Sequence, residues 1–79
     1  MTMVSENEFL SFLIECFGVT ENVSPETRIS ELGFDSLSIL ELAMTVERKY
    51  NTKLPLRIIE KDVRLLEIIE LINNDNNNA

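Results

Sequence analysis

The chain of 79 residues is long enough for one domain around one modest hydrophobic core. It is 44% hydrophobic and 27% charged, with two glycines and two prolines, which is typical of a folded helical protein rather than a disordered one. Its formal net charge of −7 argues against nucleic acid or an anionic membrane as partner, because both attract Lys and Arg. The lack of histidine and of a second cysteine argues against metal clusters, an internal disulfide and His-dependent catalysis, so no enzyme is expected.

The N-terminal segment has no basic stretch followed by an apolar run, and every apolar stretch is too short to span a bilayer. These features predict a cytoplasmic protein.

The first predicted helix begins at Ser5. Ser5 and Glu8 have the spacing of a capping box, in which each side chain accepts a hydrogen bond from the backbone of the other residue. Apolar residues recur at helical spacing as far as Phe17, and Gly18 is a typical helix stop. The predicted core face contains Phe9, Leu10, Leu13, Ile14, Cys16 and Phe17. We interpret Cys16 as a small buried hydrophobic residue, because no base or second thiol accompanies it.

A long loop is predicted between the first two helices, over residues 19–33. Its turn residues interrupt the helical periodicity, and a loop of this length in so small a domain is usually functional. The residues predicted to anchor it to the core are Val23, Ile29 and Leu32. The second helix is predicted to begin at Asp35 or Ser36 and to end near Asn51, which tolerates a left-handed backbone.

Two further helices are predicted after Asn51. Pro55 opens a short one over residues 56–61, and Asp62 is predicted to cap a longer one. The apolar stripe of this last helix contains Leu65, Ile68, Ile69 and Ile72.

The predicted fold class is all-α. We expect a small four-helix bundle of three long helices and one short one, with a long loop between the first two helices. Residues 1–4 are predicted to be a flexible N-terminus, residues 5–72 the folded domain, and residues 73–79 a disordered Asn-rich tail.

The second helix carries two apolar faces. The face predicted to pack in the core spans an arc of about 100° and contains Ile39, Leu42, Ala43, Val46 and Tyr50. Outside this arc, apolar and charged residues alternate, and these are Leu37, Leu40, Glu41, Met44, Glu47 and Arg48. Exposed apolar side chains framed by charges suit a transient docking surface. The alternative is that so small a bundle buries both faces, or that scattered apolar surface residues have no role.

Asp35 and Ser36 precede this helix, and taken alone they are an ordinary helix start. The wider pattern is Leu32-Gly33-Phe34-Asp35-Ser36-Leu37, followed by Glu41-Leu42, Tyr50 and Leu54-Pro55. This pattern strongly resembles the acyl carrier protein family, and the likeness covers nearly the whole chain, from the first helix to Ile72.

The resemblance implies that Ser36 carries a covalent 4′-phosphopantetheine arm, because the serine of the family's Asp-Ser-Leu motif holds that group. A helix N-terminus suits such a phosphodiester. Gly33 would permit a tight turn and leave room for the arm, Asp35 would cap the helix and help present Ser36, and Leu37 would give the modifying enzyme an apolar contact. No catalytic residue and no metal ligand is implied in this chain.

Ser36 has no internal base, so a partner is expected to attach the arm. This partner would be a phosphopantetheinyl transferase that uses coenzyme A and Mg²⁺. The other expected partners are a ligase or synthase that loads the acyl cargo and the downstream biosynthetic enzymes, which a monomeric carrier would visit in turn.

The sequence departs from carriers of primary fatty-acid synthesis at Arg48-Lys49 and Leu56-Arg57, where those carriers are acidic. We therefore expect an acyl carrier of a specialised pathway, such as polyketide or nonribosomal peptide synthesis. The segment Asp62-Val63-Arg64 weakly resembles aminoacyl carriers of the D-alanyl type, so an aminoacyl or peptidyl carrier is the alternative. A third interpretation is an unmodified helical adaptor, which predicts no covalent arm.

Overall fold

The order of helices follows the sequence prediction. The computed structural model describes residues 3–77, which contain four α-helices and a 3₁₀ helix. The α-helices are α1 (Glu6–Phe17), α2 (Ser36–Tyr50), α3 (Leu56–Glu60) and α4 (Leu65–Asn77), and the 3₁₀ helix spans Ile29–Leu32. The expected all-α bundle of three long helices and one short one is confirmed.

The ends of α1 lie where local sequence signals placed them. The Ser5 hydroxyl accepts a hydrogen bond from the Glu8 N–H, with an N···O distance of 3.1 Å. Gly18 adopts a left-handed φ of 67°, and its N–H donates to the Ile14 carbonyl. Because glycine has no Cβ, it ends a helix in this conformation without steric cost.

The ends of α2 are also determined by residues that lie next to them in the sequence. The Asp35 carboxylate accepts a hydrogen bond of 2.8 Å from the Ser38 N–H, which satisfies one of the free donors at the start of the helix. Asn51 has a φ of 50° and donates its N–H to the Glu47 carbonyl. The start at Ser36 and the stop at Asn51 are therefore confirmed.

The core is built from the apolar stripes of α1, α2 and α4. Its fully buried large side chains are Phe9, Leu13, Leu42, Val46, Leu65, Ile68 and Ile72. Burying one such side chain contributes about 1.5–3 kcal/mol. The predicted core face of α2 is confirmed at Leu42, Ala43 and Val46, while Ile39 and Tyr50 lie partly buried at its edges.

One prediction for α1 is wrong, because Cys16 is exposed. The core position is taken instead by Phe12, which is only 7% exposed and was not assigned to the core face from the sequence. The Phe12 ring packs edge-on against Tyr50, with 5.8 Å between ring centroids, and also contacts Phe9 and Phe17. This aromatic cluster fills the space between α1 and α2, so Cys16 lies beside it at the surface.

The predicted role of Asp62 as a helix cap is also wrong. Asp62 adopts a left-handed φ of 57°, and its carboxylate accepts hydrogen bonds from the backbone N–H and the hydroxyl of Ser30. The first amide of α4, from Leu65, donates to the Thr27 carbonyl at 2.8 Å. The long loop therefore satisfies the start of α4, and Asp62 is free to hold the loop.

The folded unit extends beyond residues 5–72 at both ends. Val4 is 8% exposed, and its backbone N–H and carbonyl both bond to the Asn73 side chain, at 2.8 and 3.1 Å. The Asp75 carboxylate accepts hydrogen bonds from the Thr52 hydroxyl and the Lys53 N–H. These contacts continue α4 through the segment for which the sequence predicted disorder.

Val4 and residues 73–77 therefore belong to the folded unit. The rest of the predicted flexible N-terminus includes Met3, whose side chain is 54% exposed, and residues 1 and 2, which lie outside the described residues. Residues 78 and 79 lie outside them as well.

Candidate functional site

A glycine turn positions the Asp-Ser-Leu segment. Gly33 ends the 3₁₀ helix with a φ of 74°, a conformation in which other residues are strained. A Cβ built on Gly33 would meet no heavy atom of this chain within 4 Å. The glycine is therefore needed for its backbone conformation, and the space beside it is open.

The loop before this turn is tied to the start of α4 by polar contacts. Besides the Ser30 contacts of Asp62, the Arg28 guanidinium donates to the Asp62 carbonyl at 3.0 Å. Arg64 forms an ion pair of 2.8 Å with Glu26. The hydrogen bonds from Ser30, assisted by the charge of Arg28, hold the pKa of Asp62 below its usual value. These contacts fix the loop that leads into Ser36.

Ser36 is exposed at the first position of α2. Its neighbour Asp35 is held by the Ser38 backbone hydrogen bond, which together with a contact to the Ser38 side chain lowers the pKa of the Asp35 carboxyl. Phe34 packs its ring against Phe17, with 5.9 Å between centroids. The two residues before Ser36 are thus anchored, whereas Ser36 itself is exposed and its hydroxyl has no hydrogen-bond partner among the described side chains and backbone groups of residues 3–77.

An open groove of about 300 Å³ begins at Ser36 and runs between α2 and α3. Its lining residues are Ser36, Ile39, Leu40, Ile59 and Glu60. Neither Ile59 nor Glu60 was predicted from the sequence to be a site residue. A five-residue helix carries too little periodicity to show which side faces α2, so only the tertiary arrangement places these two beside Ser36.

The second apolar face of α2 is exposed. Leu37, Met44 and Leu40 are 65%, 50% and 39% exposed, so the bundle does not bury both faces. Glu41 and Arg48 are exposed on the same side of the helix. We call these five residues the docking strip, after the role that the sequence predicts for them.

Glu47 was predicted from the sequence to belong to the same docking surface, but its carboxylate has a partner within the chain. Its carboxylate accepts a hydrogen bond of 2.7 Å from the Leu54 N–H, and the residue is only partly exposed. Glu47 therefore connects α2 to the segment that leads into α3.

Neither a membrane-spanning helix nor a metal cluster is found in the described part of the chain. No helix there combines the length and the apolar character needed to cross a bilayer. Residues 3–77 also contain no group of three acidic or cysteine side chains placed to hold a metal ion.

Comparison with protein families gives a match to the family model described as "Phosphopantetheine attachment site", over residues 10–72. The chain is 30% identical to the oxytetracycline polyketide synthase acyl carrier protein of Streptomyces rimosus, over 92% of this chain and 82% of that protein. It is 36% identical to an acyl carrier protein of Campylobacter lari, over 78% of this chain and 83% of that protein.

A third relative is much larger than this chain. Identity to a non-reducing polyketide synthase of Gibberella zeae is 29% over 82% of this chain, which spans only 3% of the synthase. The comparison with solved structures gave no significant match.

Proposed function

The chain belongs to the phosphopantetheine attachment family of carrier domains, and we propose that Ser36 is the residue that takes the arm. Members of this family carry 4′-phosphopantetheine covalently and act as carriers rather than catalysts. The observation that supports Ser36 most directly is its exposed, unpaired hydroxyl at the start of α2, directly after the capping Asp35.

The residues around Ser36 suit a phosphodiester. The start of α2 offers free N–H groups and the positive end of a helix dipole, which stabilise a negative charge. Asp35 accepts the hydrogen bond of the Ser38 N–H and so keeps the helix start in place. When attached, the arm supplies a terminal thiol that holds an acyl cargo as a thioester, and the protein's part is to present it.

Attachment at Ser36 is tested by mass. The apo-protein is incubated with coenzyme A, Mg²⁺ and a broad-specificity phosphopantetheinyl transferase, and we expect a gain equal to one phosphopantetheine. Ser36→Ala should show no gain, while Ser38→Ala, a neighbouring serine changed in the same way, should load like wild type. An unmodified wild type would instead support the helical adaptor, and loading of Ser36→Ala would move the site elsewhere.

We also propose that the chain is an acyl carrier of a specialised pathway. Residues 36–61 carry five of the seven basic residues but only three of the fourteen acidic ones, so this segment is net +2 while the rest of the chain is −9. An enzyme with a strongly basic docking surface would gain little from such a segment. The charge distribution therefore supports partners other than those that select an acidic second helix.

The aminoacyl or peptidyl alternative rested on Asp62-Val63-Arg64. Asp62 and Arg64 have partners within the chain, Ser30 and Glu26, so their presence is explained without any role in cargo choice. The intact mass of protein purified from its native source would show the cargo. A mass corresponding to an aminoacyl thioester would favour the alternative.

A further inference from the structure

Four exposed basic side chains lie on α2, on α3 and on the segment between them. Arg48 is the last residue of the docking strip, Lys53 follows α2, and Arg57 and Lys61 lie in α3 and at its end. The ion pairs found within residues 3–77 are all made by Arg64, so none of the four has a carboxylate partner in that part of the chain. We call these four residues the basic border.

α3 lies beside α2 and runs in the opposite direction. Leu54, just before α3, donates its N–H to the Glu47 carboxylate near the end of α2, at 2.7 Å. Glu60, the last residue of α3, lines the same groove as Leu40, which lies near the start of α2 and belongs to the docking strip. Arg57 lies between these two contacts and one turn from Glu60, so it is on the side of α3 that borders the strip.

The carboxylates of this surface do not balance its cations. Residues 36–61 contain three acidic residues, and the carboxylate of one of them, Glu47, is engaged by a backbone N–H. The other two, Glu41 and Glu60, are exposed beside the four cations of the basic border. The surface formed by α2 and α3 is therefore basic, on a chain whose net charge is −7.

Lys49 is also basic but does not belong to this surface. Its ammonium lies 5.3 Å from the centre of the Phe12 ring and 5.6 Å from that of the Tyr50 ring. It also lines a cleft together with Glu8 and Glu15 of α1. The Lys49 charge is therefore held against α1, about 100° around the helix from its neighbour in the basic border.

The side chains of the docking strip and the basic border indicate the chemistry of what binds there. Leu37, Leu40 and Met44 offer exposed apolar contacts, and the cations around them favour carboxylates. The guanidinium groups of Arg48 and Arg57 can each bind a carboxylate through two parallel hydrogen bonds. An anionic membrane or a nucleic acid would meet long-range repulsion from the acidic remainder of the chain, so a protein surface with a few carboxylates fits better.

We propose that the docking strip and the basic border together bind a partner enzyme whose contact surface carries carboxylates around an apolar centre. This inference rests on the proposed function, and the partner is an enzyme that loads or processes the cargo rather than the transferase. Because the whole chain is acidic, the attraction to such a surface acts only at short range, which suits a transient encounter.

The test is an NMR titration of the full chain with two amphipathic helical peptides. The peptides share their leucine and alanine positions, and their charged positions are all Glu in one and all Lys in the other. Non-specific attraction to a chain of charge −7 would favour the Lys peptide. We expect the Glu peptide to shift the amide signals of Met44, Arg48 and Arg57, with a lower Kd at these residues than the Lys peptide and a Kd that rises with salt.

Arg48→Gln and Arg57→Gln should each raise the Kd of the Glu peptide by up to about fivefold, which is the range of one exposed ion pair. The matched control is Lys49→Gln, which removes the same charge at the next position of α2 and should leave that Kd unchanged. Thermal melts of the three variants first establish that each is folded.

Three results would overturn the inference. The first is a Glu peptide that causes no shifts at this surface or binds there no more tightly than the Lys peptide. The second is an equal loss of affinity in Lys49→Gln and Arg48→Gln, which would mean that only overall charge matters. The third is binding to phosphatidylglycerol vesicles with shifts at the same residues, which would assign the surface to a membrane.

The proposed function is tested separately on the same samples, by the mass gain at Ser36. A chain that takes the arm but does not prefer the Glu peptide overturns this inference and leaves the proposed function standing. A chain that takes no arm overturns the proposed function, and the surface is then no longer that of a carrier.

Discussion

The Asp62 carboxylate accepts two hydrogen bonds from one residue, at 2.8 Å from the Ser30 N–H and 2.9 Å from the Ser30 hydroxyl. The two residues are 32 positions apart in the chain, so the contact joins the long loop to the turn before α4. Because the loop leads directly to Gly33 and Ser36, this contact stabilises the path of the backbone into the proposed attachment site.

We expect the contribution of Asp62 to stability to disappear in acid. The pKa of Asp62 is lower in the folded protein than its ordinary value of 3.8, so its contribution is complete above that value and is lost as the pH falls through the folded pKa. Asp62→Asn retains a side chain that tolerates positive φ but loses the charge, and its melting temperature should be a few degrees below wild type near pH 7. Thermal melts at about pH 7 and about pH 2 test this, because the two proteins should converge at the lower pH. A constant difference would assign the effect to something other than ionisation.

Val46→Asp should unfold the domain. The Val46 side chain is fully buried, and an unpaired carboxylate there costs several kcal/mol against a total stability of about 5–15 kcal/mol. The control is Met44→Asp, which makes a similar change on the exposed side of the same helix. Circular dichroism and thermal melting should show loss of helix only for Val46→Asp. A wild-type melt for this variant would contradict the assigned core.

The docking strip is tested by Glu41→Lys and Met44→Ala. Glu41→Lys should lower kcat/KM for loading by the transferase by up to about fivefold, and the loss should shrink as salt rises, because exposed charge pairs are screened. Met44→Ala should lower it with little salt dependence, since an apolar contact is lost. Glu15→Lys has the same net charge as Glu41→Lys but lies on α1, and it should load like wild type. If both docking-strip variants match wild type, the docking surface lies elsewhere.

Glu47→Lys should behave differently from Glu41→Lys, although the sequence pattern predicts the same role for both residues. The Glu47 carboxylate holds the Leu54 N–H, and losing a hydrogen bond to a charged group costs about 1–3 kcal/mol. We therefore expect a melting temperature lower by several degrees for Glu47→Lys and an unchanged one for Glu41→Lys. Equal melts would show that the Leu54 contact contributes little.

Arg48→Glu should make α2 a better substrate for enzymes that recognise acidic carriers. Arg48 is exposed at the end of the docking strip and forms no ion pair within residues 3–77, so its replacement should not disturb the fold. Acyl transfer by a ketosynthase of fatty-acid synthesis should be faster with Arg48→Glu than with wild type, and the gain should fall with salt. A rate that stays the same or drops would argue against Arg48 as a selectivity residue.

The parts of the fold that could be predicted are those that depend on neighbouring residues. Ser5, Gly18, Asp35 and Asn51 end helices through contacts within a few positions, and each was identified from the sequence. The exposed side of α2 could also be predicted, because its periodicity is long enough to define two faces. Ser36 was predicted as the attachment site only from the resemblance to a family. Taken alone, Asp35-Ser36 indicates no more than an ordinary helix start.

The wrong predictions all concern residues whose structural partners are distant in the sequence. Cys16 was assigned to the core because the helical wheel could not show that Phe12 would fill the space against Tyr50. Asp62 has the composition of a cap, but its partner is Ser30 in the long loop. The Asn-rich end of α4 has no apolar signal, and what orders Asn73 is the backbone of Val4 at the opposite end of the chain.

That contact between Val4 and Asn73 has a practical consequence for tethering the protein. It brings the start of α1 next to α4 near the C-terminal end of that helix. Phe17, at the other end of α1, packs against Phe34, which lies two residues before Ser36. The 12 residues of α1 span about 18 Å, so both ends of the described chain leave the bundle far from the proposed arm. A surface, a label or a neighbouring domain joined at either end would leave Ser36 open to its enzymes.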